Sequence, residues 1–265
     1  MTAEPPAPTP LGAGVGVAQR LLDLLFPLRC VHCGTPGAPL CAVCFGAITA
    51  PPAPRCHRCD RPLFAALGPL CPLCMTMLRQ AERPALERIV VAADYDGPAG
   101  SAIRALKFRR QRRLAPPLAL LLTDAARRAG LTPDVVLPMP LHAERRRERG
   151  YNQAELLAGS VAHALRAPMA AHALERTRAT RPQTRLSRHE RHLNVAGAFA
   201  LASPMAAAQL AGKRIALVDD VTTTGATLEA AADALLDARP AVIWALAVAR
   251  PVRWSDGPDD ATLDR

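Results

Sequence analysis

Three features of this sequence predict an α/β domain, built on a parallel sheet flanked by helices and preceded by a small metal-stabilised module. Eight cysteines fall as four CxxC pairs within residues 30–74. Beyond Met75, short continuous apolar runs alternate with stretches of helical period, the signature of strands covered by helices on both sides. The chain, 265 residues at 50% apolar with 16 Gly and 26 Pro, has room for one such domain and a satellite, which excludes a mini-protein or a wholly disordered chain.

Residues 1–26 read as a tail and a short helix. MTAEPPAPTP carries an acid and four prolines where a secretory signal would place positive charge ahead of an apolar stretch. No apolar run approaches the roughly 18–20 residues needed to cross a bilayer. The expectation is a cytoplasmic protein without membrane insertion.

Residues 27–78 form the metal-stabilised module. The pairs Cys30–Cys33, Cys41–Cys44, Cys56–Cys59 and Cys71–Cys74 are knuckles that aim thiolates at one point, and two knuckles complete the S₄ cage that Zn²⁺ accepts. Four knuckles imply two structural ions. Gly34, Pro36, Gly37, Pro39, Pro62, Gly68 and Pro69 are turn formers that build no core, so metal supplies the stability. A disulfide framework would suit a secreted chain, and a thioredoxin-like site would need one CxxC opening a helix, not four in succession. His32 and His57 sit among the knuckles, but eight thiolates already complete two sites. Sequential pairing, first with second and third with fourth, closes the shorter loops and is preferred over the interleaved arrangement.

Residues 85–252 carry the α/β pattern, and 253–265 read as a solvated tail. IVVAADY is a strand; AIRALKFRRQRR a basic helix; LAPPLALLLTDAARRAG a second helix; VVLPMP a buried strand running into a loop. Asn152 to Leu165 returns to helical spacing, with Asn152 placed as a cap or a ligand contact. RIALVDD is a strand, TLEAAADALLDA a helix and AVIWALAVA a strand.

RIALVDDVTTTGAT is the informative segment. Its apolar strand delivers Asp219 and Asp220 to the carboxyl edge, where open α/β sheets bind ligands. The turn that follows offers backbone N–H groups, the hydroxyls of Thr222, Thr223, Thr224 and Thr227, and the positive end of a helix, all suited to phosphate. Gly225 lets the backbone approach closely. Two acids beside a phosphate cradle need something else to face; the vicinal hydroxyls of a ribose answer that need, with Mg²⁺ nearby to offset charge. A P-loop is excluded because no Lys follows Gly225 and no upstream glycine matches GxxxxGK[ST]. The plainer alternative is a helix cap with a polar turn, yet two acids after a buried strand are costly without a role.

The formal charge is +10, with 31 arginines and only Lys107 and Lys213 as lysines. Eight thiolates around two Zn²⁺ lower the total by four, and a basic surplus remains that favours phosphate-bearing partners. Arginine, alanine and proline richness also follows from a GC-rich genome, so charge alone does not decide function.

VDDVTTTGAT resembles the 5-phosphoribosyl-1-pyrophosphate (PRPP) motif of type I phosphoribosyltransferases. The run of four knuckles, LKFRRQRR, VLPMPLHAERRRERGYNQAELLA, TRPQTRLSRHERHLNVAGAF and that motif, over about residues 20–250, resembles the ComF/GntX family associated with DNA uptake and natural competence. The resemblance implies a type I phosphoribosyltransferase-like fold behind a double zinc ribbon. It also implies that Asp219 and Asp220 hold ribose hydroxyls while Val221, Thr222, Thr223, Thr224, Gly225, Ala226 and Thr227 wrap the 5′-phosphate. Pro138, Met139, Pro140, Arg145, Arg147 and Arg149 would form the pyrophosphate loop, whose guanidiniums suit a leaving group that gains charge. TRPQTRLSRHERHLN reads as a loop closing over the site, with Gln183, Arg191 and Asn194 as its contacts, or else as a plain surface helix; Lys107 reads as a phosphate contact or a solvated side chain.

The chemistry so implied is departure of pyrophosphate from C1 of PRPP with Mg²⁺, and attack by an acceptor. Purine-salvage members of the fold carry an acid where Thr223 stands here, which leaves the acceptor open, and no general base is assigned. A second reading, from a different class, is a DNA-processing adaptor. It would bind single-stranded DNA or a competence protein through its ribbons and arginine-rich surface, keeping the PRPP pocket as a sensor; the few aromatics in the ribbons weigh against base stacking.

Overall fold

The computed structural model describes residues 28–63, 68–80, 84–178 and 197–251. Four parallel strands form its sheet, β1 (Arg88–Asp94), β2 (Val135–Pro138), β5 (Arg214–Val221) and β6 (Val242–Arg250), in the order β1-β6-β5-β2. Val218 pairs with Leu246 and Val90 with the same residue on the far side, so β5 and β6 are the central strands. Their near-continuous apolar runs follow from burial on both faces.

Side-chain alternation sorts the core into two halves. Val90, Ala92, Ala216, Val218, Leu246 and Val248 pack under α3 (Gly97–Phe108), α4 (Ala115–Arg128) and α6 (Gln153–Leu165). Ile89, Val91, Ile215, Leu217, Ile243 and Ala245 pack on the other face with Leu228, Ala231 and Leu235 of α8 (Ala226–Leu235) and Leu210 of α7 (Pro204–Leu210). A short antiparallel pair, β3 (Leu174–Arg176) with β4 (Phe199–Leu201), stands apart from the sheet. Three-residue strands carry too little period to register in the sequence, so this pair emerges only in the structure. The basic helix is also shorter than expected: α3 stops at Phe108 and Arg110 turns to φ 53°. Arg109 to Arg113 offers no apolar side chain to hold a further turn against the core.

The cysteine module contains α1 (Ala42–Gly46) and α2 (Pro72–Gln80). It sits against β1, an edge strand whose outward N–H groups would otherwise be unpaired. Ile89 N–H donates to Arg58 O at 2.7 Å, Val91 N–H to Asp60 Oδ2 at 2.7 Å, and Asp94 N–H to Thr49 O at 3.0 Å. Arg250, at the end of β6, donates to Cys59 O and is 3% exposed. The first ribbon reaches the α3 face through His32 Nδ1 and Ser101 Oγ, 3.1 Å apart, and the second reaches α8 through Arg58 and Glu229, 2.8 Å apart. The two ribbons therefore straddle the sheet edge. No described helix is long and apolar enough to cross a membrane. Residues 1–26 and 253–265, read as terminal segments, lie outside the described residues.

Gly100 marks the tightest approach in this frame: a Cβ on it would stand 2.0 Å from the Tyr95 carbonyl oxygen. Backbone cannot yield as a side chain can, so Gly100→Ala should destabilise the protein by about 1–3 kcal/mol and lower the melting temperature by several degrees. An unchanged melting curve contradicts this packing.

Candidate ligand site at the carboxyl end of the sheet

Strand β5 brings its two acids to the same edge but to opposite faces. Asp219 continues the row of Ile215 and Leu217, while Asp220 continues that of Ala216 and Val218. The turn beyond is fixed to the sheet by Thr222 N–H donating to Ala249 O at 3.1 Å. Thr224 Oγ1 accepts from Ala226 N–H at 3.2 Å and so closes the entry to α8. Gly225 has φ 88°, and a Cβ there would stand 2.8 Å from Ile89 Cδ1. Conformation and space both call for glycine. Asp219, Val221, Thr222, Thr223, Thr224, Gly225, Ala226 and Thr227 line one small open pocket of about 30 Å³, with room for a small polar group but not for a nucleotide.

On the other face, Asp220 is 2% exposed, and Lys107 Nζ lies 3.0 Å from its Oδ1. Its Oδ2 is buried without a hydrogen-bond partner. Burial alone would pull the Lys107 ammonium down, but Asp220 and then Asp219 hold it above its ordinary value. Burial, and then the neighbouring Asp220, push the Asp219 carboxyl up, an effect Lys107 only partly offsets. Such a carboxyl gains from any ligand that donates hydrogen bonds to its charged form.

Arginines complete the ring. Arg149, half-buried at the end of α5 (Ala143–Arg149), donates to Gln153 Oε1 and lies 5.5 Å from the Phe108 ring centroid. Burial draws its guanidinium down against the pull of Asp220, and it keeps its charge. Arg145, one turn earlier on the same helix face, is close enough to repel both Arg149 and Arg176. Arg176, on β3, feels Asp219. Arg147 is exposed and two residues round the helix, so it turns from Arg145 and Arg149. Lys107, Arg149 and Arg176 thus face two acids, with Arg145 beside the last two, a positive balance suited to an anion.

The segment from β2 to α6 is held from behind. Met139 N–H donates to Val218 O at 2.8 Å, and Pro138 and Met139 are buried, so they set the course of the chain; Pro140 is half-buried beyond them. Gly150, at φ 80°, ends α5. Tyr151 donates its hydroxyl to Leu106 O, and the Arg112 guanidinium lies 4.6 Å from its ring centroid. Asn152 serves as a cap: its Oδ1 accepts from Ala154 N–H at 3.0 Å, while its Nδ2 donates to Met139 O at 2.9 Å. Gln183, Arg191 and Asn194 lie outside the described residues. Sequence reading missed Arg176, which no motif flags, and the partner of Lys107; its one signal was a lone lysine in a helix of arginines.

The eight thiols gather into two groups, Cys30, Cys33, Cys41 and Cys44, and Cys56, Cys59, Cys71 and Cys74, each with sulfurs within 4.8 Å of one another. The grouping is the sequential one. Cys33 and Cys41 sulfurs are 3.6 Å apart and Cys59 and Cys71 sulfurs 3.7 Å, near the roughly 3.8 Å edge of a ZnS₄ tetrahedron with about 2.3 Å bonds. Backbone N–H groups of Cys44 and Cys71 point at Cys41 and Cys56 sulfurs, as thiolate charge requires. Both groups fit structural zinc. His32 and His57 stay outside them; His32 turns to Ser101.

A family described as phosphoribosyl transferase domain matches residues 152–262, and one described as double zinc ribbon domain matches residues 21–75. Among curated proteins, the DNA utilization protein YhgH of Escherichia coli is 36% identical over 170 residues, covering 62% of this chain and 73% of its own. Competence protein F of Haemophilus influenzae is 35% identical over 173 residues, covering 63% and 75%. Two solved structures also match: a glutamine PRPP amidotransferase from B. subtilis complexed with ADP and GMP, and an allosteric regulatory enzyme of purine biosynthesis. The first has TM-score 0.36 and 17% identity over 54% of this chain, the second 0.39 and 18% over 62%. The matches span 30% and 34% of those larger chains.

Elemental analysis of the purified protein should find two zinc ions per chain, and stripping them should unfold the ribbons. A count of zero or one contradicts the two four-thiolate sites.

Proposed function

This chain belongs to the ComF/GntX family, which joins a double zinc ribbon to a phosphoribosyltransferase domain, and on that premise we propose that it binds PRPP, or a related phosphoribosyl ligand, with Mg²⁺. The observation that carries the reading is the pairing of a small hydroxyl-lined turn at a helix N-terminus with a half-buried carboxylate, Asp219, on its rim. The 5′-phosphate sits in the turn from Thr222 to Thr227, held by backbone N–H groups and hydroxyls. Ribose hydroxyls donate to Asp219 on the rim, while Asp220, buried on the opposite face and out of their reach, is neutralised by Lys107. Lys107 is then a counter-ion to the sugar site and not the phosphate contact expected of it.

Arg149 and Arg145 face the pyrophosphate, with Arg176 adding charge from β3. Bound with the pyrophosphate, Mg²⁺ would offset part of its charge beside these guanidiniums. In turnover, the C1–oxygen bond to pyrophosphate breaks with its electron pair leaving on pyrophosphate. A nucleophilic acceptor then forms the new bond at C1 and loses its proton to solvent. The chain's part is electrostatic, since guanidiniums stabilise the leaving charge. The two parts of the molecule are a ribbon module over 27–78 and a transferase-like module over 85–252. DNA uptake, the setting suggested by the names of its relatives, is where we place its activity, in the cytoplasm.

A second reading has its own support. Phe108 is 70% exposed beside Arg104 and Arg109, in a groove of about 260 Å³ that runs to Val31 of the first ribbon. An exposed ring among guanidiniums suits single-stranded DNA, and that partner can be handled beside the PRPP site or in its place.

Thermal melting decides the first reading. PRPP with Mg²⁺ at a hundredfold excess over Kd stabilises the native state by about 2.7 kcal/mol, a shift of several degrees. Asp219→Asn should remove most of that shift while leaving the ligand-free melting temperature nearly unchanged; a full shift in the variant contradicts the assignment. For the second, affinity for an oligo-dT strand should fall steeply with added salt and fall again in Phe108→Ala. No binding at low salt rejects it.

A further inference from the structure

The second ribbon reaches the phosphate turn from behind. Arg58, inside the Cys56–Cys59 knuckle, is 6% exposed. Its carbonyl accepts from Ile89 N–H at 2.7 Å, and the Cδ1 of that same isoleucine is the atom against which Gly225 closes. Its guanidinium pairs with Glu229 Oε1 at 2.8 Å, donates to Leu86 O at 3.4 Å and is drawn to the Cys74 sulfur on the other side. Glu229 lies in the first turn of α8, and its N–H donates to Gly225 O at 2.9 Å. Both ends of Arg58 therefore bear on the turn at Gly225, one through β1 and one through α8. Neither Arg58 nor Glu229 lines the pocket.

We propose that Arg58 is a positioning residue for the phosphate turn, coupling the second four-cysteine knuckle to the loop from Thr222 to Thr227. The proposal rests on the reading of that loop as a phosphate cradle. It has two physical parts. The knuckle is a rigid strut: the Cys56–Cys59 turn is fixed by its sulfurs, so the Arg58 carbonyl and guanidinium keep β1 and α8 at the separation that Gly225 requires. Arg58 also cancels a charge. Glu229 stands one turn, about 6 Å, behind the helix N-terminus that would receive the phosphate. Unpaired, it would repel an incoming anion and offset the positive end of the helix that attracts one. Paired, it anchors the helix without that penalty. Among the described residues the first knuckle pair makes no such link to α8; His32 turns instead to Ser101 on α3.

Amide hydrogen exchange on the full-length, zinc-loaded protein tests this without depending on PRPP. Arg58→Ala should accelerate exchange over residues 222–229 by about tenfold or more, with two zinc ions still bound and β2 unaffected. Its affinity for PRPP with Mg²⁺ should fall, and Arg58→Ala with Glu229→Gln should recover part of that loss, because the repelling charge is gone. Should Arg58→Ala lose zinc, Glu229→Gln alone is read instead, and faster exchange confined to 222–229 is again expected. Unchanged exchange over 222–229 in the zinc-loaded variant overturns the positioning role. If wild-type protein shows no protection of 222–229 by PRPP, the phosphate reading fails, while the exchange comparison still decides whether Arg58 holds the loop.

Discussion

Two adjacent carboxylates at the end of a fully buried strand set the terms for the rest of this molecule. Strand geometry forces Asp219 and Asp220 to opposite faces, and neither can sit there ionised without compensation. The fold answers with Lys107 from α3 and Arg149 near Asp220, and with Arg176 near Asp219. Once those cations are in place, the same edge becomes attractive to a polyanion. A charge problem created by two acids is thus solved in a way that suits the phosphate and sugar we propose for this edge.

The ribbons take part in that solution. An open sheet edge at β1 is exposed to unwanted pairing, and here the cysteine module occupies it with three hydrogen bonds, while the buried Arg250 of β6 donates to the module at Cys59 O. Asp60, itself 2% exposed at φ 60°, accepts from Val91 N–H and pairs with Arg55 at 3.0 Å, so its buried charge is compensated. A module too rich in turn formers to hold a core gains rigidity from four sulfurs at each knuckle pair and passes it to the strand that abuts Gly225. The metal-stabilised part and the ligand-binding part are, on this account, one mechanical unit.

Most of the frame was legible in the sequence because its signals are local. RIALVDD and AVIWALAVA read as strands buried on both faces, VDDVTTTGAT as a strand-turn-helix ligand motif, and four CxxC pairs as two metal knuckles whose sequential grouping the sulfur positions share. What escaped depends on distance in the chain. Lys107 and Asp220 are 113 positions apart, Arg58 and Glu229 are 171 apart, and no period or spacing links them. Arg176 escaped because a three-residue strand has no pattern of its own. Among Arg145, Arg147 and Arg149, only helical geometry after Ala143 sorts the first and last toward the site and the middle one away from it.

A crystal structure of the protein grown with PRPP and Mg²⁺ tests the account most directly. The ester phosphate should occupy the turn from Thr222 to Thr227, with sugar hydroxyls bonded to Asp219 and the Lys107–Asp220 contact intact. Density for the ligand at any other place, or a sugar turned away from Asp219, would contradict it.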